Sequence, residues 1–429
     1  MEMLETPRRL TANWKHNWKQ PLLIATHNRS KKSVMNKPDT YNMICFGFLP
    51  WSNMWKRNQS MVAEMAKWDF IHKIIFINPI ISMRSIFTSK KNGATNGNPG
   101  NHLIPSKIDP KIWVYTPFNI FPRRNYLPYF KKIDDQLILK IIKRLNSDKP
   151  YILFMNCPNI FSHAVLDALL KKAVLSIFDL SDDFAALGYG NKTIALFKQN
   201  TTQYIQASDI VLAVNKHVMN KYLSLNSNMH VLKNATNYWN FDRKVYKRID
   251  FLEEIKARNK TIIGYSGIAN MSRIDSDLLD YILDKRPNWN FVFIGQAKTD
   301  FKERYSHYKN FFHVPPVHYQ TLPDYLNYFD VAIVPFKINE HTKGNDLLKL
   351  HDYLAMGKPV VSTEIGGAND LRHVIRVAHR PIDFVNQIEQ ALGSNTSEDV
   401  LKRKNSALEN SWNYRIRNIE ELIKNHLRT

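Results

Sequence analysis

The clearest chemical signal in this sequence is three polar residues on one short stretch. Within Lys343 to Thr363 (KGNDLLKLHDYLAMGKPVVST), Asn345, Lys349 and Asp352 stand at i, i+4 and i+7. That spacing puts them on one face of a helix expected over Asp346 to Met356. Leu347, Leu350 and Leu354 form a second, apolar stripe that would face a sheet. A lysine near a helix start is a point charge placed for a phosphate, where the helix dipole also favours anions. An aspartate offers two acceptor oxygens, suited to a pair of ribose hydroxyls. Gly357 would stop the helix and Pro359 would open the next strand. The competing reading is a plain i,i+3 surface ion pair between Lys349 and Asp352, worth roughly a few tenths of a kcal/mol.

Other positions could serve the same chemistry. Ser266, Gly267 and Arg273 lie in a loop after an expected strand. Gly267 would let backbone N–H groups approach a diphosphate, and Arg273 could bind it through a bidentate cation. An ordinary strand-to-helix turn with a surface arginine reads equally well. Asp182 and Asp183 follow another strand and could orient or deprotonate an acceptor hydroxyl. Alternatively, Ser181 or Asp182 caps a turn over Phe184 to Leu187. Arg57 precedes the first helix and either meets the acceptor or covers surface.

No metal site is expected. Neighbouring aspartates in an extended loop point apart, and no DxD follows a strand in the C-terminal half. None of the 15 histidines has ligand spacing; His341 and His351 read as packing or surface groups. The two cysteines, Cys45 and Cys157, lie in or beside strands without CxxC spacing. They fit buried packing in a reducing compartment.

These side chains need a frame, and the frame reads as α/β. Strands are expected at Met43 to Leu49, Lys73 to Asn78, Trp113 to Thr116, Tyr151 to Asn156, Ala173 to Phe178, Ile210 to Val214 and His230 to Leu232. Helices fit Asn58 to Lys67 and Asp134 to Leu145. Lys90 to Asn101 is glycine- and asparagine-rich but lacks P-loop spacing, so it reads as a loop. The charged stretch Asp242 to Lys260 reads as a connection. A second unit follows, with strands at Thr261 to Tyr265, Phe291 to Ile294, Phe311 to Val314, Val331 to Pro335 and Pro359 to Ser362. Its helices fall at Asp275 to Lys285, Thr321 to Tyr328, Asp346 to Met356 and Ile382 to Leu392. A last helix spans Glu409 to Leu427. Short apolar runs alternating with helices signal parallel sheets covered on both faces. In such sheets ligands sit beyond the carboxyl ends of the strands.

Bulk properties agree with this frame. The chain has 429 residues, 44% hydrophobic, with 60 basic against 38 acidic residues and a formal charge of +22. No run approaches the roughly 18 apolar residues of a spanning helix, and Pro21 to Ala25 is too short for a signal h-region. A cytoplasmic protein is expected. Its basic balance suits phosphorylated small molecules or peripheral contact with an anionic membrane. Nucleic acid is disfavoured by the lack of zinc-finger or RRM signatures. Residues 1–40 form a basic tail with Trp14 and Trp18, read as a disordered extension or a membrane-surface helix. Met35 or Met43 is an alternative start.

The stretch LLKLHDYLAMGKPVVST resembles the LKxxEYLAxGKPVVS signature of GT-B glycosyltransferases, in particular the large retaining family 4 group. IGGAND at Ile365 to Asp370, SWNYRIRNIEELI from Ser411 and NFVFIGQ at Asn290 resemble further segments of that family. FGFLPWSNMWKRNQSMVAEMAK and FDLSDDF resemble its teichuronic-acid (TuaH-like) subgroup. The resemblance covers about Tyr41 to Leu427. It implies a GT-B fold, two doubly wound Rossmann-like domains facing a central cleft: 41–238 on the acceptor side, 239–408 binding the nucleotide-sugar, and a C-terminal helix at 409–429. It implies transfer of a sugar from a nucleotide-sugar, UDP-sugar favoured, to a polysaccharide or lipid-linked glycan acceptor. The reaction would be retaining and free of metal and cofactor. By position, Asp352 matches the family's second motif glutamate, which holds the ribose. The first glutamate falls on Gly344 and is absent, leaving that contact to backbone or Asn345. Lys349 matches the subgroup's LK lysine, and the glycine loop falls on Gly366 and Gly367. The family's common arginine falls on Ile268, with Arg273 as its substitute. The alternatives are a nucleotide-sugar epimerase of similar fold and a non-enzymatic binder of anionic polymers.

Overall fold

The computed structural model describes residues 38–428 apart from 53–54, 83–101, 120–127, 157, 159–162, 185–190, 259–260, 340–341 and 343–345. The basic tail up to residue 37, the 90–101 loop, Cys157, His341, Gly344 and Asn345 therefore lie outside the described residues.

The first half is built on β1 (Tyr41–Phe46), β2 (Ile71–Ile77), β3 (Ile81–Ser82), β4 (Ser106–Lys107), β5 (Ile112–Tyr115), β6 (Phe118–Asn119), β7 (Tyr151–Met155), β8 (Leu175–Leu180), β9 (Ile210–Ala213) and β10 (Met229–Val231). They form an eight-stranded sheet in the order β10-β9-β8-β7-β1-β2-β5-β4, with β3 and β6 as a separate pair. All its pairings are parallel except the short β4 edge. β1, β7, β8 and β9 are buried along their whole length. This is why they read as continuous apolar runs rather than alternating ones. β1 ends earlier than expected, at Phe46; the Gly47 N–H still donates to the Ile77 carbonyl at 3.0 Å, and a Cβ on Gly47 would lie 2.2 Å from the Phe76 ring.

The second half contains β11 (Ile262–Ser266), β12 (Asn290–Ile294), β13 (Phe311–Val314), β14 (Val331–Val334), β15 (Val360–Thr363) and β16 (Arg376–Ala378). Their order is β13-β12-β11-β14-β15-β16, parallel throughout. Strand order reverses on either side of β11, so the β11 and β14 loops open on a switch point. The helix in the polar motif spans Leu348–Ala355, shorter than expected. It packs Leu350, Tyr353 and Leu354 into the core of this half.

Several helices depart from the sequence reading, which expected none at His163–Leu170, Asn191–Ala207, Lys216–Tyr222 or Thr299–Tyr305. Asp242 to Lys260 is not only a connection, because Asp250–Arg258 is helical with Asp250 and Glu253 in its first turn. Ser397–Glu409 is also helical, started by a capping box between Thr396 and Asp399. The last helix, Trp412–Arg428, crosses back to the first half. Its stripe of Trp412, Ile416, Ile419 and Ile423 is buried in one cluster with Met43, Met61 and Ile177. Spacing of i, i+4, i+7 and i+11 produces that stripe. Among the described residues no helix is long and apolar enough to cross a membrane.

Candidate functional site

The loop after β11 is shaped by two glycines. Gly267 has φ +134° and Gly295, after β12, has φ +131°. L-residues with side chains rarely adopt such values. A Cβ on Gly295 would lie 2.3 Å from the Gly267 carbonyl oxygen. A Cβ on Gly267 would lie 2.5 Å from the Lys349 ammonium. The two loops thus touch through backbone, and Lys349 occupies the space Gly267 leaves open. The Gly267 N–H is not free for a phosphate, contrary to expectation. It donates to the Ile294 carbonyl at 2.8 Å, continuing the ladder of the sheet beyond its end.

Lys349 enters this space from the first turn of its helix. Its Nζ donates to the Tyr265 hydroxyl at 2.8 Å and lies 3.9 Å from the centre of that ring and 5.0 Å from the Phe336 ring. Tyr265 donates in turn to the Ile268 carbonyl at 2.9 Å. Among the described residues no carboxylate forms an ion pair with Lys349. Burial drives its ammonium well below the usual range, and the Arg273 charge adds to that. Lys56, just before the first helix of the other half, is likewise lowered by burial and by Arg273. Three cations, from both halves, thus act on one region, without an ion-paired carboxylate among the described residues.

Asp352, one turn on, is 6% exposed and does not pair with Lys349. Its Oδ1 accepts from the Thr236 hydroxyl at 2.7 Å, and the Tyr319 phenol also donates to it. Burial raises its carboxyl to about 7, against these bonds and the Lys349 charge. The simple surface ion pair is therefore not what forms: the two residues share a helix face but turn to different partners. Ser266 ends β11 buried, with its N–H donating to the Tyr353 hydroxyl at 2.7 Å and its Oγ 3.0 Å from the same oxygen. Gly366 and Gly367 open the short helix Gly366–Asp370 after β15, with Gly367 buried.

The residues expected on the acceptor side are engaged elsewhere. Arg57 is buried within the first half. Its guanidinium donates to both oxygens of Asp179 at 3.0 and 2.6 Å, to the Leu232 carbonyl at 2.9 Å and to Asn234 Oδ1 at 3.0 Å. Asp183 accepts from Lys221 at 2.7 Å. Asp182 Oδ1 accepts the Asp183 N–H at 2.9 Å, and residues 185–187 of the expected capped turn lie outside the described residues. No hydrogen bond or ion pair joins Asp182 or Asp183 to Lys349, Arg273 or Asp352 among the described residues. No group of three or more His, Cys, Asp or Glu placed to hold a metal occurs among the described residues either.

Sequence reasoning missed Tyr265, Lys56, Thr236, Tyr319 and Gly295. The signal for Gly295 was available, since FIGQ places a glycine directly after a buried strand. Tyr265 and Tyr319 become visible only once the second half has folded, and Lys56 and Thr236 only once the two halves are brought together.

Two sheets of this order, with a nucleotide-type switch point between β11 and β14, define a GT-B fold. A sequence profile described as "Glycosyl transferases group 1" matches residues 276–394, which include the Lys349 helix and the Gly366 loop. Residues 276–394 thus carry a group 1 glycosyltransferase signature within a chain of GT-B fold. It is similar to the putative teichuronic acid biosynthesis glycosyltransferase TuaH of Bacillus subtilis (strain 168), with 24% identity over 261 residues, covering 57% of this chain and 65% of that protein. Among solved structures it resembles Anabaena HepE in complex with UDP and glucose, with TM-score 0.63 and 10% identity, covering 90% of this chain and 100% of that one. It also resembles the Escherichia coli trehalose-6-phosphate protein bound with UDP-2-fluoro glucose, with TM-score 0.62 and 12% identity over 90% of this chain and 99% of that one.

Proposed function

We propose that this protein transfers a sugar from a UDP-sugar to a glycan or lipid-linked acceptor, with retention and without a metal. The observation that carries this reading is Lys349. Its half-buried ammonium forms no ion pair with a carboxylate among the described residues and fills the space that Gly267 leaves open, with Asp352 acting on it only at longer range. A desolvated, unpaired cation is unfavourable unless an anion completes it. Lys56 and Arg273 add positive charge to the same region. A diphosphate supplies the missing charge. It also gains more negative charge as the sugar leaves, which is where fixed cations act most strongly on the transition state.

Asp352 is the acceptor for the ribose in this reading, through the carboxylate capacity that Thr236 and Tyr319 leave open. Ser266 acts through Tyr353, which it fixes against the β11 loop. Gly366 and Gly367 offer backbone near the sugar. Asp183, held by Lys221, is the acceptor-side carboxylate that would need release to act as a base. Arg57 supports the first half rather than touching the acceptor. The basic surplus of 60 over 38 residues suits a protein working on the inner face of an anionic membrane, where a lipid-linked acceptor is presented.

The test is a thermal-shift screen against UDP, GDP, ADP and CMP, followed by turnover of UDP-sugars with and without acceptor. A ligand that binds only the folded state raises the transition temperature. Stabilisation by UDP that is lost in Lys349→Ala is the expected result. Conversion of a UDP-sugar to its epimer without acceptor would replace transfer by epimerisation. No response to any nucleotide, with salt-sensitive binding to nucleic acid, would remove the reading altogether.

A further inference from the structure

Asn234 lies in the segment joining the two halves, and every polar group it has is used. Its backbone N–H donates to Asp346 Oδ2 at 2.6 Å. Its side-chain Nδ2 donates to the Asp346 carbonyl at 2.6 Å. Its Oδ1 accepts from Arg57 at 3.0 Å. Its carbonyl accepts from Arg415 Nη1, and the same guanidinium reaches Asn410. These partners belong to three separate elements. Asp346 precedes the Lys349 helix, Arg57 opens the first helix of the other half, and Arg415 lies on the helix that crosses back. Both ends of the chain of bonds are themselves anchored. Arg57 is clamped by Asp179, which also accepts from Asn156, and Asp346 Oδ1 lies 3.5 Å from His351 Nε2.

From this we infer that Asn234 is a positioning residue: a latch that sets where the start of the Lys349 helix stands relative to the Arg57 helix of the other half. The physical case rests on geometry. An asparagine side chain offers one acceptor and one two-hydrogen donor on a rigid plane. Here the acceptor faces one half and the donor faces the other, so neither half can shift without losing a bond. Lys56, adjacent to Arg57, and Lys349, three residues beyond Asp346, are the cations assigned above to the diphosphate. The latch fixes the separation of the two elements that carry them. The inference therefore rests on the donor-site reading for its catalytic consequence, though not for its structural one.

Two variants of the full-length protein separate the arms of the latch. Asn234→Asp keeps the oxygen facing Arg57 but removes the bond to the Asp346 carbonyl and sets a carboxylate against it. Asn234→Ala removes both side-chain bonds. Hydrogen exchange is read on peptides covering 56–65, 346–356 and 411–416. The expected result is faster exchange over 346–356 alone in Asn234→Asp, and over both 56–65 and 346–356 in Asn234→Ala. UDP affinity and donor KM are expected to worsen by about five- to twentyfold in Asn234→Asp, with kcat changed less than threefold. A merely local turn residue would confine the exchange change to 232–236 and leave donor KM unaltered, and that outcome overturns the inference. If Asn234→Ala does not fold, Asn234→Asp carries the test alone. Lys349→Ala serves as the control: if it binds UDP as well as the wild type, the donor-site reading fails, while the exchange pattern still decides the latch.

Discussion

The Lys349 ammonium sits 2.8 Å from the Tyr265 hydroxyl and 3.9 Å from the centre of the same ring. The phenol is itself a donor to Ile268, so it accepts from Lys349 and passes the orientation on to the loop backbone. Burial raises the Tyr265 pKa well above its usual value, so the phenol stays neutral. Lys349 therefore has a polar anchor and an aromatic wall but, among the described residues, no carboxylate in ion-pair contact, Asp352 acting on it only at longer range.

This arrangement sets an alkaline limit on donor binding. Burial and Arg273 lower the Lys349 pKa, so its charge, and with it anion affinity, is lost as pH rises through a value below that of an ordinary lysine. UDP affinity is expected to fall on the alkaline side earlier than a free lysine would allow. Lys349→Arg, whose guanidinium stays charged, is expected to extend binding to higher pH. Titration calorimetry with UDP across the alkaline range checks this. Identical pH profiles for the two proteins would remove Lys349 from the site.

Asp352 predicts a dependence of opposite cause. Its carboxyl is raised by burial from 3.8 to about 7, so between these values the folded protein holds a proton that the unfolded chain has released. The stability this group contributes is then greatest at the acid end of that window, declines as pH rises to about 7, and levels off above it. Asp352→Asn is expected to flatten that slope in the transition temperature between pH 5 and 8. An unchanged slope would assign the dependence to another group.

Gly267 and Gly295 differ in what an added methyl group meets. Both sit at positive φ, so either alanine carries about 1–3 kcal/mol of backbone strain; Gly267→Ala also pushes against a movable lysine end, so its UDP affinity is expected to drop about tenfold or more besides. Gly295→Ala meets the Gly267 carbonyl at 2.3 Å, which is backbone. It is expected to lower stability by about 1–3 kcal/mol through strain at positive φ. Thermal unfolding and UDP titration of both variants separate the two effects.

Arg57 and Asp179 form a buried ion pair at 2.6 Å, with side-chain exposures of 6% and 0%. Removing one partner strands the other charge, so Arg57→Ala is expected to destabilise by about 3–5 kcal/mol. Chemical denaturation measures this directly. An acceptor-contact role would instead leave stability intact and raise the acceptor KM.

Much of the frame was legible in the sequence because parallel strands buried on both faces are written as short apolar runs, as in YILFM at Tyr151 and VAIV at Val331. The helix Ser397–Glu409 was missed although Thr396 and Asp399 spell a capping box. Its middle, VLKRKNSALE, has too little apolar periodicity to stand out beside that cap. At the site, the linear spacing of Lys349 and Asp352 correctly put both on one helix. It could not show that Tyr265 takes one and Thr236 the other, because those partners lie more than eighty residues away. Arg57 misled for the same reason: nothing near it in sequence announces Asp179 as its counter-ion.

The helix Trp412–Arg428 fills the core of the first half with side chains from the far end of the chain. The face of the first sheet that this helix covers is shared with the first helix, whose Met61, Val62 and Met65 lie in the same cluster. During synthesis part of that face must wait from the completion of β10 at Val231 until the helix beginning at Trp412 has emerged. The two halves are consequently one folding unit, and neither is a natural fragment to produce alone.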